Sequence, residues 1–279
     1  MRLMWQLVAV AVIAMAGGGA VAAVQEDSPW LTLVLGVATS VLAVLVYRWV
    51  VARTEHRAVT ELGRKGAAAG LGLGTLLGLA LFGVVVANIA FLGHYEVTGL
   101  GSVTGAVGLV GFMAAAAVTE ELLFRGVLFR VTEERWGTWW AMALSGLLFG
   151  AFHLANPDAD LYGAFAVAVE AGGMLTAAYV ATRRLWVPIG VHFGWNFAAG
   201  GVFSAEVSGN GASHGLLDSV TTGPAWVTGG AFGPEGSPYA LVFCVLAATV
   251  FLLVARRRGR LVPRRGRGER SAALATLPR

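Results

Sequence analysis

Long apolar runs, separated by short polar breaks, dominate the pattern of the chain. A helix needs about 20 predominantly apolar residues to cross a bilayer. We expect eight candidate membrane helices, over residues 3–24, 31–51, 67–92, 103–130, 141–155, 161–182, 186–203 and 238–255. The pattern therefore predicts an all-α fold, a polytopic membrane helix bundle with about eight transmembrane helices.

The breaks between the runs differ in character. Residues 204–237 are glycine-rich and show no clear period, which predicts a long loop. The third run is also glycine-rich, and small residues allow membrane helices to approach closely. Small residues at 17–23, followed by Gln25-Glu26-Asp27, are also typical of a signal-peptide cleavage site. Because the first run is long enough to span, we expect a retained helix and leave cleavage open as the alternative.

Composition supports a membrane protein. The chain has 279 residues, of which 57% are hydrophobic and 13% are charged, and its mean hydropathy is +0.71. A soluble domain carries about 25% charged residues. The length suits one helical bundle. Cys244 is the single cysteine, which excludes an internal disulfide, and it lies in an apolar run as an expected core or lipid-facing residue.

The basic residues fall on one side when eight helices alternate from a cytoplasmic N-terminus. All 20 Lys and Arg residues then lie in or beside cytoplasmic segments, whereas the opposite loops carry only acids, such as Glu26, Glu96 and Asp158. This is the positive-inside pattern. We expect both termini in the cytoplasm, loop 204–237 outside and a disordered basic tail over 256–279. Topology and anionic lipid explain the positive charge, so no nucleic-acid partner is predicted.

Two adjacent acids, Glu120 and Glu121, interrupt the fourth run. An acid within a membrane helix is costly and is a functional candidate by default. Residues four apart share a helix face, so we expect Glu121 to pair with Arg125. Glu120 points about a third of a turn away and has no basic residue at helical spacing. We therefore expect a structural Glu121–Arg125 pair and a Glu120 that is available for chemistry.

Two further polar motifs stand inside the runs. They are Phe149-x-x-x-His153 and His192-x-x-x-Asn196, and the second places an imidazole and a carboxamide on one helix face. At about 1.5 Å of rise per residue, Glu120, His153 and His192 come to similar depths, with His153 the loosest fit. Any one of these side chains fits helix packing alone. Together they supply a general base, a water- or metal-positioning group and oxyanion donors.

The three motifs, in this order, resemble the CPBP intramembrane proteases. That family includes the type 2 CAAX prenyl endopeptidase and the bacteriocin-immunity (Abi) proteins. The resemblance covers residues 103–203, and residues 185–192 are similar to bacterial members. It implies a catalytic core over 101–205, with N-terminal helices at 1–100, an extracytoplasmic loop at 206–237, and the last helix and tail at 238–279. The expected location is a bacterial plasma membrane.

The resemblance also implies an activity and residue roles. The activity is hydrolysis of a peptide bond within the membrane, near its cytoplasmic side, in a membrane-associated peptide or protein. Glu120 and His153 would activate a water, His192 and Asn196 would stabilise the oxyanion, and Glu121 with Arg125 would hold the fourth helix. The lipid bilayer is the second expected partner.

Zinc is the one cofactor that these residues suggest, and the sequence leaves open whether the protein binds it. Glu120, His153 and His192 are candidate ligands of a three-ligand site, and the same groups could instead hold a water directly. Zinc-binding histidines usually bond a carboxylate or carbonyl through the other nitrogen, and no acid lies at helical spacing from either histidine. This favours the metal-free version, although Glu170 could supply such an acid from the sixth run.

Several other interpretations stay open or are weaker. Buried acids and histidines also build the relays of a proton- or ion-coupled transporter, but no pair of matching halves is visible. A non-catalytic immunity or scaffold protein would not need the intact motifs. Residues 211–215 match Gly-x-Ser-x-Gly without the required strand–turn–helix context. Ser145 suggests a rhomboid-like serine protease, but that interpretation leaves the acid pair unexplained. The sequence contains no His-Glu-x-x-His motif, which argues against the common zinc metalloprotease helix.

Overall fold

The computed structural model describes residues 1–211 and 213–264, which form a helical bundle. The predicted fold class is confirmed. The helices are α1 (Arg2–Ala22), α2 (Pro29–Glu55), α3 (Ala67–Phe91), α4 (Val103–Glu121), α5 (Arg130–His153), α6 (Leu161–Val167), α7 (Thr176–Thr182), α8 (Trp186–Asn196), α9 (Ala225–Thr228) and α10 (Pro238–Arg257). Three π-helical segments continue α4, α6 and α8, namely Leu122–Phe129, Ala168–Leu175 and Phe197–Val202.

Four of the helices begin at a side chain that caps them. Ser28, Ser102, Asp160 and Ser237 each accept a hydrogen bond from a backbone N–H of the first turn, in α2, α4, α6 and α10 respectively. Such caps satisfy donors that have no partner inside the helix. The polar breaks in the apolar pattern therefore set where these helices start.

The predicted number of eight spans is not confirmed. Within the described residues, six helical stretches are long and apolar enough to cross a membrane. One of them, Val103–His153, contains both the fourth and the fifth predicted runs. Its direction changes at Gly137, whose φ of 78° lies in the left-handed region that favours glycine. The seventh predicted run is helical, but it is too short to meet the same criterion.

Glycine allows the close approach of α3 to α8. A Cβ atom on Gly74 would lie 2.5 Å from the carbonyl oxygen of Val187, and one on Gly78 would lie 2.2 Å from that of Val191. Neither distance is possible for a real side chain, so the two backbones are in direct contact at these positions. Small residues permit this packing between membrane helices. It sets the position of α8, which carries His192 and Asn196.

Basic residues cluster at one end of the bundle, where ion pairs join several helices. Arg130 donates to Glu55 at 2.8 Å, and Arg183 contacts Glu133. In the loop between α2 and α3, Glu61 accepts hydrogen bonds from Arg57 at 2.7 Å and from the Tyr47 hydroxyl at 2.7 Å. We call this end of the bundle the basic end. Its contacts fix the relative positions of α2, α5 and Arg183, which directly follows α7.

At the opposite end, two short strands pair. β1 (Tyr95–Leu100) and β2 (Leu217–Thr221) form an antiparallel ladder with an irregularity between Val97 and Gly99. The sequence interpretation placed both stretches in loops, so it was wrong at this point. The loop after α8 also folds back on the bundle, because Glu235 accepts hydrogen bonds from Trp195 Nε1 and Ser208 Oγ, both at 2.6 Å.

The start of the basic tail is packed, contrary to the prediction of disorder over 256–279. Arg258 Nη1 donates to the carbonyl oxygen of Ala181 at 3.1 Å. The backbone N–H of Val262 donates to Thr138 Oγ1 at 2.8 Å. The rest of the tail, from residue 265, lies outside the described residues, as does Ala212 in the Gly-x-Ser-x-Gly pattern.

Candidate active site

Each of the three π-helical segments touches the candidate site. Leu122–Phe129 begins directly after the acid pair and contains Arg125. Ala168–Leu175 contains Glu170, and Phe197–Val202 follows Asn196 directly. A π-helical turn changes the direction of the side chains that follow it, and such turns are frequent at functional sites. The apolar pattern gives no indication of them.

Arg125 and Glu121 form a pair with no exposed side-chain surface. Arg125 Nη1 donates to Glu121 Oε1 at 2.7 Å. The guanidinium also donates to the carbonyl oxygen of Ala171 at 2.5 Å and to Thr176 Oγ1 at 3.4 Å. A buried charge is tolerated when it is paired and hydrogen-bonded in this way. The pair thus links α4 to the helix of residues 161–182.

Phe149 lies between the arginine and both histidines. The guanidinium carbon of Arg125 lies 4.5 Å from the centre of the Phe149 ring, a cation–π arrangement. The ring centroids of Phe149 and His153 are 4.7 Å apart, and those of Phe149 and His192 are 6.1 Å apart. The Phe-x-x-x-His motif therefore supplies a wall for the site in addition to the histidine.

Each of the two histidines has a hydrogen-bond acceptor beside its Nδ1 atom. His153 Nδ1 lies 2.8 Å from the carbonyl oxygen of Phe149. His192 Nδ1 lies 3.0 Å from Glu121 Oε1. An acceptor at Nδ1 favours the tautomer with a proton there and leaves Nε2 for other work. No acid lies at helical spacing from either histidine, but Glu121, from the fourth run, contacts His192 across two helices. The sequence interpretation named Glu170 for such a contact and did not foresee Glu121.

Glu120 faces His192 from the other side. Glu120 Oε2 lies 3.9 Å from His192 Nε2 and makes no hydrogen bond within the described residues. The side chain of Glu120 is 20% exposed, whereas that of Glu121 is fully buried. The adjacent acids thus contact opposite nitrogens of the same ring, one from a buried ion pair and one from a cavity.

That cavity, which we call the vestibule, has a volume of about 880 Å³. Glu120, His153 and Asn196 lie in its wall. The remaining lining comes largely from residues 25–32, 100–105 and 207–218. These stretches belong to the end of the bundle with the β1–β2 pair. The vestibule therefore opens away from the basic end, whereas the family resemblance implies a site near the cytoplasmic side.

A second cavity of about 410 Å³ reaches Glu120 from the side. We call it the lateral groove. It is lined almost entirely by apolar atoms of α1, α4 and α5, including Met15, Ala115 and Leu123. The vestibule and the lateral groove share Phe112, Ala116, Glu120 and Phe152. Glu120 thus lies where the vestibule, with its mixed polar and apolar walls, meets an apolar cavity.

A small cavity of about 20 Å³ lies behind the histidines. His153, His192 and Asn196 line it together with two further acids, Glu170 and Glu235. Glu170 is 2% exposed, and its Oε1 makes no hydrogen bond within the described residues. The volume is enough for one water. Glu170 therefore lines a cavity beside both histidines, and Glu235, which the sequence analysis did not name as a site residue, lines it as well.

The fit of a zinc ion was tested on the three candidate ligands. Among residues 1–211 and 213–264, no group of three or more His, Cys, Asp or Glu side chains converges as a metal ion requires. Of the three candidates, Glu120 and His192 approach each other, with Oε2 and Nε2 3.9 Å apart. The arrangement of these three side chains does not fit a three-ligand zinc site.

Comparison with known proteins agrees with the motifs. Residues 101–198 match the family model described as "Type II CAAX prenyl endopeptidase Rce1-like". A curated relative, "Putative membrane peptidase YdiL" of Bacillus subtilis (strain 168), is 27% identical over 171 residues. The alignment covers 56% of this chain and 66% of the relative, so the chain spans slightly less than two thirds of that protein. No solved structure matches.

The matched segment contains all six candidate site residues: Glu120, Glu121, Arg125, His153, His192 and Asn196. Both comparisons support a membrane protease. The resemblance to the CPBP intramembrane proteases that the three motifs predict is thus confirmed, through an Rce1-like segment at residues 101–198.

Proposed function

We propose that this chain is an intramembrane endopeptidase that hydrolyses a peptide bond of a membrane-associated protein or peptide with a water activated by Glu120. One observation carries the proposal. A partly exposed acid, two histidines and an asparagine from α4, α5 and α8 lie around connected cavities, above a fully buried ion pair. A bundle packed for stability alone has no need of an unpaired acid beside a cavity of this size.

Glu120 is the proposed general base. Its Oε2 makes no hydrogen bond to the described residues and its side chain lines the vestibule, so the carboxylate can accept a proton from a water there. The water oxygen then bonds to the carbonyl carbon of the substrate, and the carbonyl oxygen becomes an oxyanion. When the C–N bond breaks, the proton passes from Glu120 to the leaving amine. One water is consumed, and Glu120 returns to its starting state.

His153 is proposed to position the attacking water. Its Nδ1 lies beside the Phe149 carbonyl oxygen, which directs Nε2 to other partners. Both the vestibule and the small cavity have His153 in their walls. A neutral imidazole nitrogen can accept a hydrogen bond from the water while Glu120 takes the other proton.

His192 and Asn196 are the proposed oxyanion donors. Asn196 offers an amide N–H₂ group in the wall of both cavities. His192 can donate from Nε2 when its ring carries two protons, and the Glu121 carboxylate at Nδ1 stabilises that imidazolium. Preorganised donors at a developing negative charge are often the largest single contribution to such reactions.

The two cavities suggest the character of the substrate. The lateral groove offers apolar walls beside α1, whereas the walls of the vestibule mix polar and apolar atoms. A peptide with an apolar, membrane-embedded part and a polar flank would place the junction of the two at Glu120. We therefore propose a membrane-anchored peptide or protein as substrate.

The test is to incubate the purified protein in detergent with a set of single-span membrane peptides and to identify products by mass spectrometry. We expect cleavage by the wild type and a loss of at least about 10²-fold with Glu120→Gln, because glutamine cannot accept the proton. Glu96→Gln, an exposed acid on β1, is the matched control and should retain activity. Cleavage by Glu120→Gln at the wild-type rate would refute the role of Glu120.

A further inference from the structure

The end of the bundle at which the vestibule opens can be identified from charge. Among the described residues, its lining contains two acidic side chains besides Glu120, namely Glu26 and Asp218, and no lysine or arginine. Its two histidines are His153 and His214. Both acids are exposed. The stretches that carry them come from the end with the β1–β2 pair, since Asp218 lies in β2 and pairs opposite Gly99.

Contacts among the described residues place the basic side chains at the other end. Arg2 contacts Glu134, Arg130 contacts Glu55, and Arg183 contacts both Glu133 and the carbonyl oxygen of Arg260. Arg48 and Arg184 donate to backbone carbonyl oxygens of residues 62 and 63. Basic residues beside membrane helices favour the cytoplasmic side. The vestibule then faces the extracytoplasmic side.

We infer that the vestibule admits the extracytoplasmic, positively charged flank of a membrane-anchored peptide. This rests on the proposed peptidase function and names the class of substrate for it. The apolar anchor of that peptide would lie in the lateral groove, which meets the vestibule at Glu120. The flank would then pass Glu26 and Asp218, and its lysines or arginines would find these acids and no lysine or arginine among the described residues of the wall.

The expected effect of this charge is modest. Solvent and salt screen each exposed ion pair, so each contributes little. Two such pairs would favour a basic over a neutral flank by about fivefold in kcat/KM. An acidic flank would be disfavoured by repulsion from the same side chains.

The side of the opening is tested without any assay of activity. In a Cys244→Ala background, Thr104→Cys places a thiol in the exposed lining of the vestibule, and Lys65→Cys places one in the exposed loop of the basic end. In spheroplasts, an impermeant maleimide should label Thr104→Cys, and it should label Lys65→Cys only after the membrane is permeabilised. The reverse pattern would overturn the inference and leave the peptidase proposal intact.

The charge preference is tested with three peptides that share one apolar helix and differ only in a lysine, neutral or glutamate flank. We expect the order lysine, neutral, glutamate for kcat/KM, and we expect Glu26→Gln with Asp218→Asn to equalise the three rates. The control Glu96→Gln should keep the order. Cleavage of all three at equal rates by the wild type would refute the preference alone, whereas cleavage of none would refute the peptidase function with it.

Discussion

Glu121 and His192 meet across two helices, with Oε1 and Nδ1 3.0 Å apart. The same oxygen accepts a hydrogen bond from Arg125 at 2.7 Å. The second acid of the pair therefore serves two partners through one atom. The sequence interpretation gave it only the arginine. Because Glu121 also touches the ring that faces Glu120, its removal should affect stability and turnover by separate routes.

Replacing Glu121 tests this separation. Glu121→Gln leaves a fully buried guanidinium without its counter-charge, which costs roughly 3–5 kcal/mol for a buried pair. We expect a lower midpoint of thermal unfolding, and recovery of part of it in the double variant Glu121→Gln with Arg125→Met. Turnover should stay low in the double variant, because His192 still lacks its carboxylate. The measurements are thermal unfolding in detergent and peptide cleavage.

Two outcomes would contradict this division of roles. Full recovery of both stability and turnover in the double variant would show that Glu121 matters only as the partner of Arg125. If Glu120→Gln lowered the midpoint of thermal unfolding while Glu121→Gln left it unchanged, the roles of the two acids would be reversed. Glu120→Gln alone should change stability little, since Glu120 makes one long contact, to His192 at 3.9 Å.

Packing between α3 and α8 gives a second prediction, with a control on the same helix. Gly78→Ala would bring a methyl group to 2.2 Å from the Val191 carbonyl oxygen. We expect a loss of about 1–3 kcal/mol from overpacking and reduced turnover, because α8 carries His192. Gly72→Ala meets nothing within 4 Å and should leave both unchanged. Equal unfolding temperatures of the two variants would contradict the close contact.

Local features of the site could be predicted from the sequence, and its cross-helix contacts could not. Helical spacing brings Glu121 to Arg125 and His192 to the same face as Asn196, since both depend only on residues four apart. The contact of Glu121 with His192 depends on how α4 packs against α8, and no spacing within one helix encodes that. The stacking of Arg125 on Phe149 was missed for the same reason.

The fold shows the same division. Apolar runs predict helices well, because burial in a bilayer requires every backbone group to bond within its own segment. They do not reveal the π-helical segments, whose extra residue leaves the apolar pattern unchanged. The strand pair was missed although residues 95–100 are rich in residues that favour strands. Its partner lies more than 100 residues away in a stretch interpreted as loop.

The loop between α2 and α3 gives a prediction on pH. Burial raises the pKa of Glu61, but hydrogen bonds from Arg57 and Tyr47 outweigh burial and hold the pKa below its ordinary value of 4.5. A lowered folded-state pKa contributes stability that is present above about pH 4.5 and is lost as the pH falls through the folded value. We therefore expect the wild type to lose thermal stability on acidification through this window.

Glu61→Gln should reduce stability at neutral pH and flatten the acid loss, because the variant has no carboxylate to protonate at this position. Thermal unfolding from neutral pH to about pH 2 measures both effects, because the loss begins near pH 4.5 and continues below it. Glu96→Gln, at an exposed position on β1, should follow the wild-type curve. A Glu61→Gln curve parallel to that of the wild type would exclude Glu61 as the source of the acid sensitivity.

The last prediction concerns zinc, because the surroundings of the two histidines differ from what helical spacing alone indicates. Both histidines carry an acceptor at Nδ1, the Phe149 carbonyl oxygen and the Glu121 carboxylate, as zinc-bound histidines usually do. The second nitrogen of each histidine is therefore no reason to exclude zinc. Asn196 still favours a site without metal, because its neutral amide lies on the same helix face as His192 and is a poor zinc ligand. The three candidate ligands also do not converge among the described residues.

We therefore expect a water held directly by Glu120 and His153. The protein should be purified without a metal-affinity tag, its zinc content measured by elemental analysis, and cleavage assayed before and after dialysis against a chelator. Full activity with no bound metal is the expected result. About one zinc per chain, lost together with activity and restored with it, would replace this mechanism by a zinc site of Glu120, His153 and His192. His153→Gln separates the two further, because glutamine still bonds a water but does not replace a zinc-binding imidazole.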